Sequence, residues 1–260
     1  MFPDVLRTEF MKLRRAKITW ISWLAVSMMP LIGGVFVWMV ADPQRARQYG
    51  LLGQKAEMAG MTADWAGYFQ VLLQIVGIGG MILVAVIAAY VFGREHAEST
   101  AKNLLALPVG RHWFVVAKLI VVLAWFGALI GWMLLEGLLV GWVLDLPGWS
   151  TQLALNSVAD IFLAALVAWL LVPAVAWVAE WGRGYFAPLG FTIFTLIIGM
   201  SVGATGWGKW FPWSIAPLFA GVAGPRAETL APGSTAVLVV TFLLGVIGTI
   251  VQVRYADNTQ

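Results

Sequence analysis

The chain has 260 residues, 61% of them hydrophobic and 11% charged, where a soluble domain carries about 25% charged residues. That composition excludes an ordinary soluble enzyme and indicates a polytopic membrane protein. Cysteine is absent, which excludes a disulfide framework, a thiol nucleophile and a thiolate metal site; the net charge of +3 is scattered over loops and span ends, which speaks against nucleic acid as a partner.

Residues 1–17 come first and are predicted to form an amphipathic interfacial helix. Val5, Leu6, Phe10 and Leu13 fall on one side, and Glu9, Lys12 and Arg15 on another. Such a helix serves either as a positive anchor on anionic lipid or as a contact for a partner. The basic stretch "RTEFMKLRRAK" resembles the start of a signal peptide, but the apolar run after it is 23 residues long and no small-x-small site follows, so it is read as a retained span.

Six apolar runs are long enough to cross a bilayer: Ile18–Val40, Tyr68–Phe92, Trp113–Leu144, Leu153–Ala179, Tyr185–Ala204 and Ser234–Val253. They do not alternate as barrel strands do, so each is predicted to be a helix, and the fold class is all-α in a single six-span unit over 1–260. Residues 41–67 and 205–233 are predicted external loops. Within the latter, "SIAPLFAGVAG" is too short to cross and is a candidate re-entrant segment. With the N-terminus inside, 11 of the 16 Lys and Arg lie on the cytoplasmic side, so the positive-inside rule puts both termini there.

Between the second and third spans, "FGREHAESTAKNLLALPVGRHW" gathers charge into an otherwise apolar chain. Thr100, Leu104 and Leu107 recur at helical spacing, Glu98 and Lys102 are an i, i+4 pair, Ser99 suits an N-cap and Pro108 a stop. The pattern fits a short helix tied to two spans, able to pass force from something docked below. A solvated connecting loop fits it as well.

Two carboxylates lie inside spans. Glu136 stands 12 residues before Gly148 in the third–fourth turn and Asp160 stands 12 after it, so a hairpin sets them at similar depth. Each costs up to about 2.5–3.5 kcal/mol at a bilayer centre. They either line a path that attracts a cationic or amphipathic substrate, or are neutral bundle contacts, with Asn156 or Ser157 at hand. Self-contained catalysis finds little support. "GATGWGKW" (203–210) matches a phosphate-binding loop except that Trp210 stands where Ser or Thr must hold Mg²⁺. His96 and His112 are the only histidines, and neither lies at membrane depth beside a serine. An ion-coupled secondary transporter is the alternative, with Pro30 and Pro173 as possible helix breaks.

The segment E-x-x-E-S-T-x-K-N-L-L-x-x-P-V-x-R closely resembles the second–third loop of type-2 ABC exporter permeases, E-x-x-x-G-T-x-x-x-L-L-x-x-P-x-x-R. The matching positions are Glu95, Ser99, Thr100, Leu104, Leu105, Pro108 and Arg111, followed by Lys118, with Ser99 in place of glycine. The N-terminal "EFMKLRR" resembles the family's E-x-x-K-L-x-R element. "WFPWSIAP" (210–217) is similar to a loop of the bacitracin-resistance and lantibiotic-immunity branch. The resemblance implies that 93–112 is a coupling loop contacting an ATP-binding subunit through Arg94, Glu95, Glu98, Ser99, Thr100, Lys102, Leu104 and Leu105. It further implies two such subunits, with ATP and Mg²⁺ held there and no cofactor in this chain, a second permease of the same or a related kind, and a bacterial cytoplasmic membrane. Export of a hydrophobic or amphipathic compound such as a peptide antibiotic is the expected activity, through a path that includes Glu136 and Asp160.

Overall fold

The fold is that of a computed structural model, which describes residues 2–42, 62–98, 110–223, 226–227 and 230–255. Six stretches have membrane-crossing length and hydropathy: Lys17–Val40, Trp65–Ala97, Arg111–Val143, Thr151–Trp181, Phe186–Gly203 and Pro232–Tyr255. Their helices are α2 (Lys17–Val40), α3 and α4 (Trp65–Ile75 and Met81–Ala97), α5 (Arg111–Val143), α6 and α7 (Thr151–Leu170 and Val172–Trp181), α8 (Phe186–Gly203) and α10 (Pro232–Tyr255). α1 (Phe2–Arg15) precedes them, and the short α9 (Pro212–Phe219) lies between α8 and α10. Among the described residues there is no strand. The spans match the predicted six; five run slightly longer, the second most clearly because Arg94, Glu95 and His96 continue its helix, and the fifth, Phe186–Gly203, is one residue shorter at each end.

Two spans are irregular. The second contains a π-helical turn, Val76–Gly80 ("VGIGG"), whose glycines leave room for a neighbour. A Cβ on Gly77 would lie 2.5 Å from the Ala220 Cβ. The fourth breaks at Leu171, where Pro173 lacks the N–H that continuation needs. The Pro173 carbonyl accepts a bond from the Thr249 hydroxyl at 3.2 Å. Pro30, by contrast, does not break α2; its carbonyl accepts the Tyr68 hydroxyl at 3.0 Å, which ties the first span to the second.

α1 departs from the expected helical faces. Val5, Glu9 and Leu13 are its buried line, and Phe10 is exposed. Glu9 therefore belongs to the packed side, because the bundle offers it cations there; Phe10 takes the outer side. Phe2 rests on Trp113 with ring centroids 4.9 Å apart.

The core runs through Leu72, Ile87, Phe126, Leu129, Ile130, Met133 and Ile161, all essentially inaccessible. Leu24, Leu139, Phe186, Phe194 and Leu244 are exposed on the outer surface. That surface suits lipid, which is as apolar as leucine and makes no demand that such residues hide. Trp125 and Trp132 donate to Ser22 and Ser27 at 3.1 and 3.0 Å, joining the third span to the first.

The third–fourth turn is a Schellman motif. Asp145, at φ 52°, donates to Trp142 O at 3.1 Å, and Leu146 donates to Gly141 O at 3.2 Å. The segment after the fifth span returns into the bundle as the re-entrant reading expected. Trp213, Ile215, Ala216 and Phe219 of α9 are buried, and a Cβ on Gly199 would lie 2.8 Å from Trp213 O. α9 closes at Gly221, at φ 72°. The proposed short helix, with Ser99, Thr100, Lys102, Leu104 and Leu105, lies outside the described residues, as does most of 41–67.

Close helix approach makes an expected outcome. A Cβ on Gly245 would lie 2.6 Å from the Pro173 carbonyl carbon, whereas one on Gly127 meets open space. Gly245→Leu should therefore destabilise the purified protein by about 1–3 kcal/mol or more, and Gly127→Leu should leave its thermal melt unchanged. Equal melts for the two variants would contradict this packing.

Candidate functional site

Four elements meet in a buried charge cluster at one end of the bundle. Glu95, on the last turn of α4, accepts from Lys118 of α5 at 2.5 Å and from Lys12 of α1 at 3.1 Å. Lys12 also reaches Glu9 at 2.5 Å. Alongside, His96 Nε2 lies 2.7 Å from a carboxylate oxygen of Glu180 near the end of α7. Lys118 is 3% exposed, Glu9 4% and Glu95 16%. The Lys118 ammonium also lies 5.3 Å from the Phe92 ring centroid. Charges so far from water persist only when paired, so removing one partner is costly.

This arrangement assigns the predicted contact residues different positions. Glu95 points into the protein and is saturated by cations; it does not face outward toward a partner. Arg94 and Glu98 lie at the periphery, pair at 3.1 Å and are 25% and 48% exposed. Arg94 sits 5.9 Å from the Tyr90 ring centroid, and Tyr90 stacks on Tyr185. Burial, with Glu98 nearby, pushes the Tyr185 phenol up. Where the connection re-enters, Arg111 donates to the carbonyls of Val253 and Arg254 at 3.0 and 2.9 Å. A cation there satisfies orphan carbonyls and complements the dipole at the end of α10.

Glu136 and Asp160 are not brought together. Asp160 pairs with Arg226, from the loop after α9. Arg226 also donates to the Gln70 side chain at 3.2 Å, and Gln70 donates to Ala220 O at 2.9 Å. Glu136 lies within electrostatic reach of Tyr68, and no described group bonds its buried Oε2. Tyr68 and Gln70 are two positions apart, about 200° around α3. The two carboxylates thus approach the second span from opposite sides. Asn156 bonds neither of them; its side chain accepts from Gln152 at 2.9 Å.

Sequence reasoning passed over Glu180 and Arg226. Glu180 was visible as a lone carboxylate at a span end, and Arg226 as the one arginine of its loop, but what each touches is tertiary information. No cluster of three metal-ligating His, Asp or Glu occurs among the described residues.

Six apolar helices among the described residues, with most ionic groups near their ends, make this a multi-pass membrane protein. The chain belongs to the ABC-2 family: the family described as "ABC-2 family transporter protein" matches residues 5–199. Over 188 residues it is 32% identical to the bacitracin transport permease protein BCRB of Bacillus licheniformis, covering 71% of this chain and 88% of that protein. It is therefore a membrane permease of an ABC transporter, a class that works with an ATP-binding partner.

The cluster sets a second expected outcome. Lys118→Met leaves Glu95 with Lys12 alone and should cost about 3–5 kcal/mol, read as a lower melting temperature and less folded protein in membranes. Adding Glu95→Gln should recover part of that loss. A double variant worse than Lys118→Met by the full cost of a second single change would show that the two residues are not coupled.

Proposed function

We propose that this permease serves an ATP-driven exporter and that its 93–112 segment docks a separate ATP-binding subunit, which holds ATP and Mg²⁺. The observation that carries the reading is the Glu95–Lys118 pair. It clamps the outgoing and returning ends of the 99–109 connection, so a force on that connection reaches the second and third spans together. Lys12 and the nearby His96–Glu180 contact extend the same base to α1 and α7. Arg94 and Glu98 then border the docking face, with Ser99, Thr100, Lys102, Leu104 and Leu105 as its contacts, and Glu95 as the anchor beneath it.

The assembly we propose has two ATP-binding subunits and a second permease, the same or related, in a bacterial cytoplasmic membrane. Both termini lie in the cytoplasm, in keeping with the basic residues on that side. The exported compound is hydrophobic or amphipathic, and the name of the Bacillus licheniformis relative favours a peptide antibiotic such as bacitracin. Glu136 and Asp160 contribute to the path as separate points, Asp160 through its exchangeable pairing with Arg226.

Leu104→Asp tests docking. The variant should reach the membrane at normal levels yet co-purify with at least tenfold less ATP-binding subunit, since a few central contacts dominate such interfaces. Undiminished co-purification and export would contradict the docking role. Transport that proceeds with the ATP-binding subunit deleted would instead favour an ion-coupled transporter.

The path is tested with Glu136→Gln/Asp160→Asn in a sensitive host. Resistance to a cationic peptide should fall severalfold more than resistance to a neutral one, with protein levels unchanged. Equal effects on both compounds would assign the carboxylates to bundle packing alone.

A further inference from the structure

An open cleft of about 510 Å³ lies between α1, the start of α2 and the end of α4. Its polar lining is mainly cationic: Lys12, Arg15, Lys17 and Arg94, with Glu98 the single acid. Lys12 is engaged by Glu9 and Glu95, and Arg94 by Glu98. Arg15 and Lys17 are exposed and make no ion pair among the described residues. Between them the chain turns at Ala16, and α2 begins there without a side-chain cap. Arg15 and Lys17 thus present two cations to the cleft that no described carboxylate engages, an arrangement that favours a bound oxyanion.

The surroundings define what carries that anion. Trp20, Ile21 and Leu24, directly above on α2, are 76%, 60% and 69% exposed, and Phe10 and Met11 of α1 are exposed beside the cleft. A free phosphate has no use for such flanks. A phosphodiester attached to acyl chains matches both parts, its headgroup in the cleft and its chains along α2.

We propose that this cleft is a binding site for the headgroup of an anionic phospholipid, held by Arg15 and Lys17. The lipid acts as a wedge between the interfacial helix and the second span, next to the Lys12–Glu95 contact. The site does not depend on which subunit docks at 99–109, and its test is separate from that of docking.

The full-length chain is reconstituted in nanodiscs of equal parts phosphatidylglycerol and phosphatidylcholine, then extracted gently, and the retained lipid is measured by native mass spectrometry. The wild type should retain phosphatidylglycerol preferentially. Arg15→Gln/Lys17→Gln should reduce that preference by about 25-fold, the product of roughly fivefold for each cation near a membrane surface. Arg7→Gln/Arg14→Gln removes two cations of α1 outside the cleft and should change the preference little. The conservative Arg15→Lys/Lys17→Arg should preserve it, and Leu104→Asp should leave it intact even where docking is lost.

Four results would overturn the proposal. One is an unchanged preference in Arg15→Gln/Lys17→Gln protein that still melts cooperatively. Another is an equal loss in both glutamine pairs, which would mean diffuse attraction. A third is displacement of the retained lipid by millimolar inorganic phosphate, which would identify a free anion as the ligand. The last is loss of the co-purifying ATP-binding subunit in Arg15→Gln/Lys17→Gln protein with lipid preference unchanged, which would make the cleft a protein contact.

Discussion

The arrangement of one end of the bundle depends on one buried ion pair, Glu95 with Lys118. Lys118 is almost wholly enclosed, and a lone ammonium there would face a desolvation cost of several kcal/mol. Glu95 answers it from the adjoining span, and Lys12 approaches the same carboxylate from outside the bundle. α1 is thereby fixed to the base by charge as well as by Val5 and Leu13. The Arg111 bonds to the end of α10 add the last span. Elements far apart in sequence are thus joined at one end by a handful of polar contacts.

The opposite end is organised on another principle. There the third–fourth turn closes through backbone hydrogen bonds, and Trp65, Trp142 and Trp149 gather into an aromatic cluster with centroids 4.7–5.6 Å apart. The amide of Trp65 donates to Pro147 O at 3.1 Å, and Asp64 caps α3 by accepting from Gly67 N at 2.8 Å. Trp142 and Trp149 are exposed, as amphipathic rings at a membrane interface are, and Trp65 is buried beneath them. The only charge-pair link described near α9 is Arg226 with Asp160, and both are substantially exposed, so water competes for it. An ionic base and an aromatic, loosely latched opposite end are what a permease needs if one end receives force and the other must open.

The spans were legible because runs of about twenty apolar residues need no tertiary knowledge. Their ends were read a few residues short, since Arg94, Glu95 and His96 look like loop residues until the helix is seen to continue through them. Glu9 was misplaced for a related reason: amphipathic patterning assigns every carboxylate to the wet side, and nothing local reveals that Lys12, Glu95 and Lys118 surround it. Residue counting placed Glu136 and Asp160 equally far from the third–fourth turn, but their bearings around α3 depend on helix rotation, which counting does not supply. The "SIAPLFAGVAG" run was recognisable as too short to cross, and its packing against Gly199 and Gly77 follows from the small residues facing it.

The break at Leu171 has a mechanical consequence. α7 is a rigid rod about 15 Å long, with Pro173 at its pivot and Glu180 near its tip. Since α6 is a separate helix above the pivot, a sideways shift of about 4 Å at the tip is a swing of about 15° for α7, with no bending of α6. Gly245 is the smooth bearing against which that swing turns, and Thr249 tethers the pivot through the Pro173 carbonyl. The fourth span is in this sense a lever with its handle at the charge cluster and its fulcrum partway along the bundle.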